Sequence, residues 1–308
     1  MLDARAIATA QAPRAGTINL DHIAHFVPDI EEASAALTRL GFTLTPFSAQ
    51  SHRLAPNAPL TPAGTGNRCI MLERGYLEFL TPTADTPIAQ QLRAAMARYV
   101  GVQLIAFGTA NPQADHARLT ATGFEPLSPV ALQRPINTPD GEDIARFTVV
   151  RVPPDTMPEG RIQFCAQHTA QLLWQARWLA HANAACGLIA VLICVEDPQR
   201  AAQRYSLFTG INAVKRGAAW ELATARGSLL FFDPDTVSET LGAQPPALPW
   251  IAGYVLETRD IVATRDRLVG AALTITEISN ADIRVPLPRA LGGMLVFRER
   301  KRAAFHLT

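Results

Sequence analysis

INLDHIAHFVPDIEEASAALTRLGF, residues 18–42, joins a strand of alternating character, a Pro-Asp start signal, an amphipathic helix and a Gly stop. Leu20, His22, Ala24 and Phe26 share one strand face, Ile23, His25 and Val27 the other, and Ile30, Ala33, Leu37 and Leu40 fall on one side of the helix. Three more strands are predicted behind this βα unit, at 43–47, 67–73 and Tyr76–Pro82. The same grammar returns at 102–124 (VQLIAFGTANPQADHARLTATGF), with strands at 125–128, 144–152 and Arg161–Gln167. It returns again at 188–211 (LIAVLICVEDPQRAAQRYSLFTGI), with strands at 212–216, 219–225 and 228–233. A fourth copy begins at Ala252, where AGYVLETRDIVATRDRLVGA precedes LTITEI, ADIRVPLPRA and GGMLVFRER. The chain therefore reads as four βαβββ modules.

One helix covers only one face of its sheet, so modules must pair. The expectation is an α+β fold in which four modules make two curved mixed sheets, helices outside and a concave cup inside. Sequence proximity favours pairing one with two and three with four. Residues 1–16 would form an N-terminal extension, 17–167 the first half, 168–187 a helical linker and 188–308 the second half. Trp174 and Trp178, four residues apart in the linker, are expected as core between the halves. The four-proline stretch 233–249 is expected as a loop.

Composition narrows the function. Among 308 residues, 28 are basic and 27 acidic, and a formal charge of +1 gives no field for phosphate backbones or anionic membranes. No apolar run approaches the roughly 20 residues of a membrane span. Cys69, Cys165, Cys186 and Cys194 lack the spacing of a zinc site or redox pair, and the first residues have no continuous apolar region of a secretory signal. A cytoplasmic protein with reduced thiols is expected, with a small-molecule ligand as its partner, no nucleic acid and no membrane. A homodimer is compatible with this reading. No GxSxG elbow, HExxH helix or P-loop is present.

The repeat, with LDHIAHFVPDIEEASAALTRLGF at its front and GTGNRCIMLERGYLEFL after it, resembles the vicinal oxygen chelate superfamily and in particular its glyoxalase-like domain proteins. That resemblance implies a divalent metal in the cup (Zn, Fe, Mn, Ni or Mg), held from first and last strands of paired modules, with lyase, isomerase or dioxygenase chemistry on a small oxygen-bearing molecule. It equally implies metal-free relatives that only bind or sequester a ligand. The family's ligand positions carry His22 and, in YLEFL, Glu78, which would also be the catalytic carboxylate. The matching places are Leu104 and Gln163 in module two, Ala190 and Leu230 in module three, and Gly253 and Leu295 in module four. A third ligand would have to be His168 or His181, the latter in an HxN motif similar to one of the glyoxalase-like group, or else Gln163 and water.

A carboxylate in an apolar strand costs several kcal/mol without a partner, so Glu78 needs a metal, an Arg such as Arg161, or the His22 imidazole. Substrate contacts are expected from Thr65 and Asn67, in the Gly64-Thr65-Gly66-Asn67 run at the cup's mouth, where backbone amides could hold an oxygen or make an ordinary turn. Arg161, Gln163 and Gln167 alternate on one strand and complete the set, with Cys165 beside them as an inert packing residue.

Overall fold

The computed structural model describes residues 3–52, 59 and 61–300. Part of the Pro-rich stretch after His52 and the last residues of the second half lie outside these. The first sheet holds β1 (Asn19–Phe26), β2 (Ser48–His52), β3 (Thr61–Met71), β4 (Tyr76–Pro82), β5 (Gly101–Gly108), β6 (Val130–Thr138), β7 (Gly141–Arg151) and β8 (Arg161–Gln167), in the order β2-β3-β4-β1-β5-β8-β7-β6. The second holds β9 (Ala185–Cys194), β10 (Val214–Arg216), β11 (Ala219–Ala223), β12 (Ser228–Phe232), β13 (Trp250–Thr258), β14 (Thr276–Ser279), β15 (Asp282–Pro286) and β16 (Met294–Glu299). Its order, β10-β11-β12-β9-β13-β16-β15-β14, repeats the first. Each sheet is two βαβββ modules joined through their first strands, antiparallel for β1 with β5 and for β9 with β13. Module one pairs with two and module three with four.

The module helices α2 (Ile30–Arg39), α4 (Pro112–Ala121), α6 (Pro198–Thr209) and α8 (Ile261–Gly270) form because an Asp or Asn caps each start. Asp29 Oδ1, for instance, accepts from the backbone N–H of Glu31 and Glu32. These helices cover the convex faces, as expected, and those faces turn toward each other. The outside of each cup is thus the interior of the molecule. One contiguous core contains Leu37 of α2, Leu119 of α4, Phe208 of α6 and Leu268 of α8 together with residues of both sheets. Phe208 stacks on Phe164 of β8 at 5.1 Å between ring centres and touches Phe124 edge-on. A charge cluster seals the seam between halves: Arg74 pairs with Glu257, while Arg259 and Arg300 pair with Glu73.

Several elements differ from the sequence reading. The edge strands β2 and β6 begin about five residues later than predicted, because half-exposed edges carry little hydrophobic alternation to fix their limits. Two helices follow the last strand of the odd modules: α3 (Pro87–Arg98), capped by Thr86, and α7 (Pro234–Leu241), capped by Asp233, inside the stretch expected as loop. In both the proline sits at the first helical turn, where its missing N–H costs nothing. The linker is not one helix but a short turn, α5 (Ala170–Leu173), and a 3-10 turn (Ala176–Trp178). Trp174 and Trp178 pack with Ala8, Cys69, Met71 and Tyr76 over the first half instead of between the halves. Ala8 belongs to α1 (Ala4–Thr9) in the N-terminal extension. Among the described residues no helix is long and apolar enough to cross a membrane.

Candidate functional site

Strand register decides what faces each cup. In the first sheet His22 lies opposite Tyr76 and Ala24 opposite Glu78, so His22, Tyr76 and Glu78 share the concave face. Leu104 pairs with Arg161 and Ala106 with Gln163, which puts Arg161, Gln163 and Cys165 on that same face. In the second sheet Ala190 and Leu230 occupy the equivalent places. Module four is shifted by one residue from the sequence reading: Gly253 pairs with Met294 and Val255 with Val296, so the counterpart of Glu78 is Val296, and Leu295 points into the convex core. The second cup is filled. Val237 and Leu241 of α7 pack there with Ala190, Leu192, Leu230, Trp250 and Val296.

The first cup keeps a cavity of about 200 Å³. Its wall is apolar at Leu80, Leu104, Leu132, Phe147 and Val149, and polar at His22, Asn67, Glu78, Gln163 and three arginines, Arg134, Arg151 and Arg161. Ile88 and Gln91 of α3 line the same space. The two edges of the sheet meet here, with Arg134 Nη1 of β6 donating to Ser48 Oγ of β2 at 3.3 Å.

His22 is buried, stacked on Tyr76 at 4.3 Å, and its Nδ1 lies 2.7 Å from Asp21 Oδ2. An ionised carboxylate only accepts, so Nδ1 carries the proton and Nε2 presents its lone pair. Strand alternation alone would turn Asp21 to the opposite face. A register shift between Leu20 and His22 inserts Asp21 as a bulge and lets its carboxylate reach round to the imidazole. Gln167 does not line the cavity; its Nε2 donates to the same Asp21 oxygen at 3.1 Å and holds the carboxylate in place.

Glu78 finds its partners in two amides. Asn67 Nδ2 makes a short bond to Oε1, and Gln50 Nε2 reaches the same atom at 3.4 Å. Thr65 stands one step behind, its hydroxyl donating to Gln50 Oε1 at 2.7 Å. The Gly64–Asn67 run is strand, not a free turn: Gly66 pairs with both Ala49 and Thr81, so its backbone amides belong to the ladder. Gln163 Oε1 accepts from Arg151 Nε at 3.1 Å. Burial pushes the Cys165 thiol well up and Cys69 up to about 12, so neither supplies a thiolate near neutrality.

The two candidate third ligands lie elsewhere. His181 is saturated, with Nε2 donating to the Met71 carbonyl at 2.9 Å and Nδ1 accepting from the Thr43 N–H at 3.1 Å. His168 is exposed, bonded through Nε2 to Thr148 Oγ1, which faces away from the cup. Among the described residues no group of three or more His, Cys, Asp and Glu side chains gathers to hold a metal. The cup offers two strong donors, one of them already bonded to amides, beside three guanidinium groups that oppose a cation. That donor set does not fit a resident divalent ion, which needs about three protein ligands.

The glyoxalase-like domain profile matches residues 20–209, more than half of the chain. The chain belongs to the glyoxalase-like domain family. No curated protein matches the sequence. Among solved structures, this glyoxalase-like chain is similar to a hypothetical protein from Staphylococcus aureus, with a TM-score of 0.63 at 10% identity over 92% of this chain and 99% of the other. It is also similar to a mutant of 4-hydroxymandelate synthase from Streptomyces coelicolor, with a TM-score of 0.56 at 15% identity over 94% of each chain. A xylose isomerase-like TIM barrel/4-hydroxyphenylpyruvate dioxygenase fusion protein matches with a TM-score of 0.59 at 12% identity, over 96% of this chain and 51% of that one. At these identities the likeness is one of fold.

Four positions that shape the cup escaped the sequence. Asp21 was hidden by the bulge, Gln50 by the misplaced edge strand. Arg134 lies on β6, outside the strand predicted at 125–128, and Arg151 lies near the end of a predicted strand on which Phe147, Val149 and Arg151 alternate on one face.

Proposed function

We propose that the first-half cup is the active site of an enzyme of isomerase or lyase type that moves a proton on a small carbonyl compound without a resident metal. One observation carries this reading: His22 has its Nδ1–H fixed by the buried Asp21 and its Nε2 turned to the cavity, the arrangement a general base requires. The Asp21 carboxylate selects the tautomer and fixes the ring. Glu78, fixed on the neighbouring strand by Asn67 and Gln50, is the second proton-handling group. A carbon acid next to a carbonyl is the substrate such a pair can enolise. A positioned base of this kind contributes about 10²–10⁴-fold in rate.

Exchange of solvent deuterium into 2-oxobutyrate and phenylpyruvate, followed by proton NMR on chelator-treated protein, tests the reading. Accelerated exchange that falls at least about a hundredfold in His22→Gln supports it. No acceleration with either compound, equal rates in the variant, or exchange that returns only with added metal sinks it. A pure binding role is the second reading, favoured by the way Glu78, Gln163 and Thr65 already bond to neighbours within the cup.

A further inference from the structure

Several half-buried arginines elsewhere in this protein meet a carboxylate, while Arg226, Arg267 and Arg284 donate to backbone carbonyls or a hydroxyl outside the cup's cavity. Arg74 pairs with Glu257, Arg204 with Glu159, Arg259 with Glu73 and Arg118 with Asp115. Among the described residues, no carboxylate forms an ion pair with Arg134, Arg151 or Arg161 within 4.0 Å. Their bonds are single and neutral: Arg151 to Gln163, Arg161 to Gln91 Oε1 at 3.5 Å, and Arg134 to Ser48. Arg161 also lies over the Phe26 ring, 5.7 Å from its centre.

Arg151 and Arg161 stand on adjacent strands at one end of the cavity, since Arg151 pairs with Gln163 and Arg161 lies two residues before it. Desolvation lowers the pKa of Arg161 to about 10, and the charge of Arg151 adds to that effect. Two like charges half-buried side by side are unfavourable unless an anion joins them. Glu78, the cup's own carboxylate, acts on both only at a distance and is held by amides instead. Unlike Arg226, Arg267 and Arg284, these two line an open cavity together.

Resting on the proton-transfer reading of the same cup, we propose that the ligand is a small organic acid, its carboxylate held by Arg151 and Arg161 and its apolar body against Leu80, Leu104, Phe147 and Val149. Guanidinium forks match a carboxylate through paired bonds, which gives orientation as well as affinity. The size agrees. A cavity of about 200 Å³ slightly exceeds the roughly 150 Å³ that accepts a benzene ring, which suits a single ring or a short chain carrying an acid head. A carboxylate at this end, with a carbonyl beside it under His22, makes a 2-oxo acid the compound in which both readings meet.

Calorimetric titration with sodium benzoate, phenyl phosphate and benzamide separates head from body. Benzoate is expected to bind at least about tenfold tighter than its neutral isostere benzamide. Arg151→Gln and Arg161→Gln should each weaken benzoate about tenfold, with Arg161→Lys between, because lysine keeps the charge and loses the fork. His22→Gln should leave benzoate affinity within about threefold of the parent while deuterium exchange is lost, so anion recognition and proton transfer fail separately. Arg93→Gln, on the exposed face of α3, serves as the surface-charge control. Equal binding of benzoate and benzamide, no binding of benzoate, or unchanged affinity in both glutamine variants overturns the proposal. Preference for phenyl phosphate over benzoate overturns the carboxylate head in favour of a phosphoryl one.

Discussion

Acidification from about pH 7.5 to about pH 5 should remove about 4 kcal/mol of stability through two buried histidines, half of it through His25. His25 sits on the convex face of β1 between the two halves, wholly buried, stacked on Phe79 at 4.8 Å and edge-on to Tyr254 at 5.4 Å. Its Nδ1 donates to the Leu291 carbonyl at 2.8 Å, and Nε2 has no partner among the described residues. Desolvation lowers its pKa from 6.5 to about 4, and His181 is lowered to about 4 for the same reason. The unfolded imidazole takes its proton near pH 6.5, while the native one resists until about pH 4, so the stability present above 6.5 is lost as pH falls through that window. At 1.36 kcal/mol per unit, each histidine removes about 2 kcal/mol by pH 5. Glu159, whose pKa burial raises, works in the opposite direction, so the decisive quantity is a difference between proteins. Urea unfolding of the parent and His25→Leu at both pH values cancels every group they share. The parent should lose about 2 kcal/mol more than the variant. Equal losses would refute the claim that His25 is held neutral at the junction of the halves.

Phe208→Ala, which empties the ring cluster with Phe107, Phe124 and Phe164, should cost about 3–5 kcal/mol in urea unfolding. Gly292 and Gly123 both hold φ in the left-handed region, +64 and +81, but a Cβ on Gly292 would strike the Val100 carbonyl whereas one on Gly123 meets nothing within 4 Å. Gly123→Ala should therefore cost only the backbone strain of about 1–2 kcal/mol, and Gly292→Ala clearly more, by the same measurement. Asp21→Asn should lower deuterium exchange at least about a hundredfold by releasing the His22 tautomer, with benzoate affinity in calorimetry unchanged.

The strands that carry the cup were legible because they are buried on both faces and follow the βα grammar closely. β4 and β8 fall on the residues read from the sequence, and the positions matching His22 and Glu78 in modules two and three agree with the observed register. Module four slipped by one residue where GGMLVF offers an unbroken apolar run with no parity to read. Long-range pairing set the rest. Glu78 was expected to meet a metal, Arg161 or His22, and it meets Asn67 of the adjacent strand β3 and Gln50 of the edge strand β2. His181 had the look of a ligand in WLAHAN, yet both ring nitrogens tie the linker to the Met71 and Thr43 backbone. The unpaired arginines have no sequence signature at all, since whether a carboxylate lies nearby is decided by strands far apart in the chain.

A crystal structure of the tag-free protein with benzoate would locate the bound acid. Benzoate is expected in the first-half cup, its carboxylate on Arg151 and Arg161 and its ring against Leu104 and Val149, with no metal density between His22 and Glu78. Benzoate in the second half or only on the surface, or an ion coordinated by His22 and Glu78, would contradict this reading.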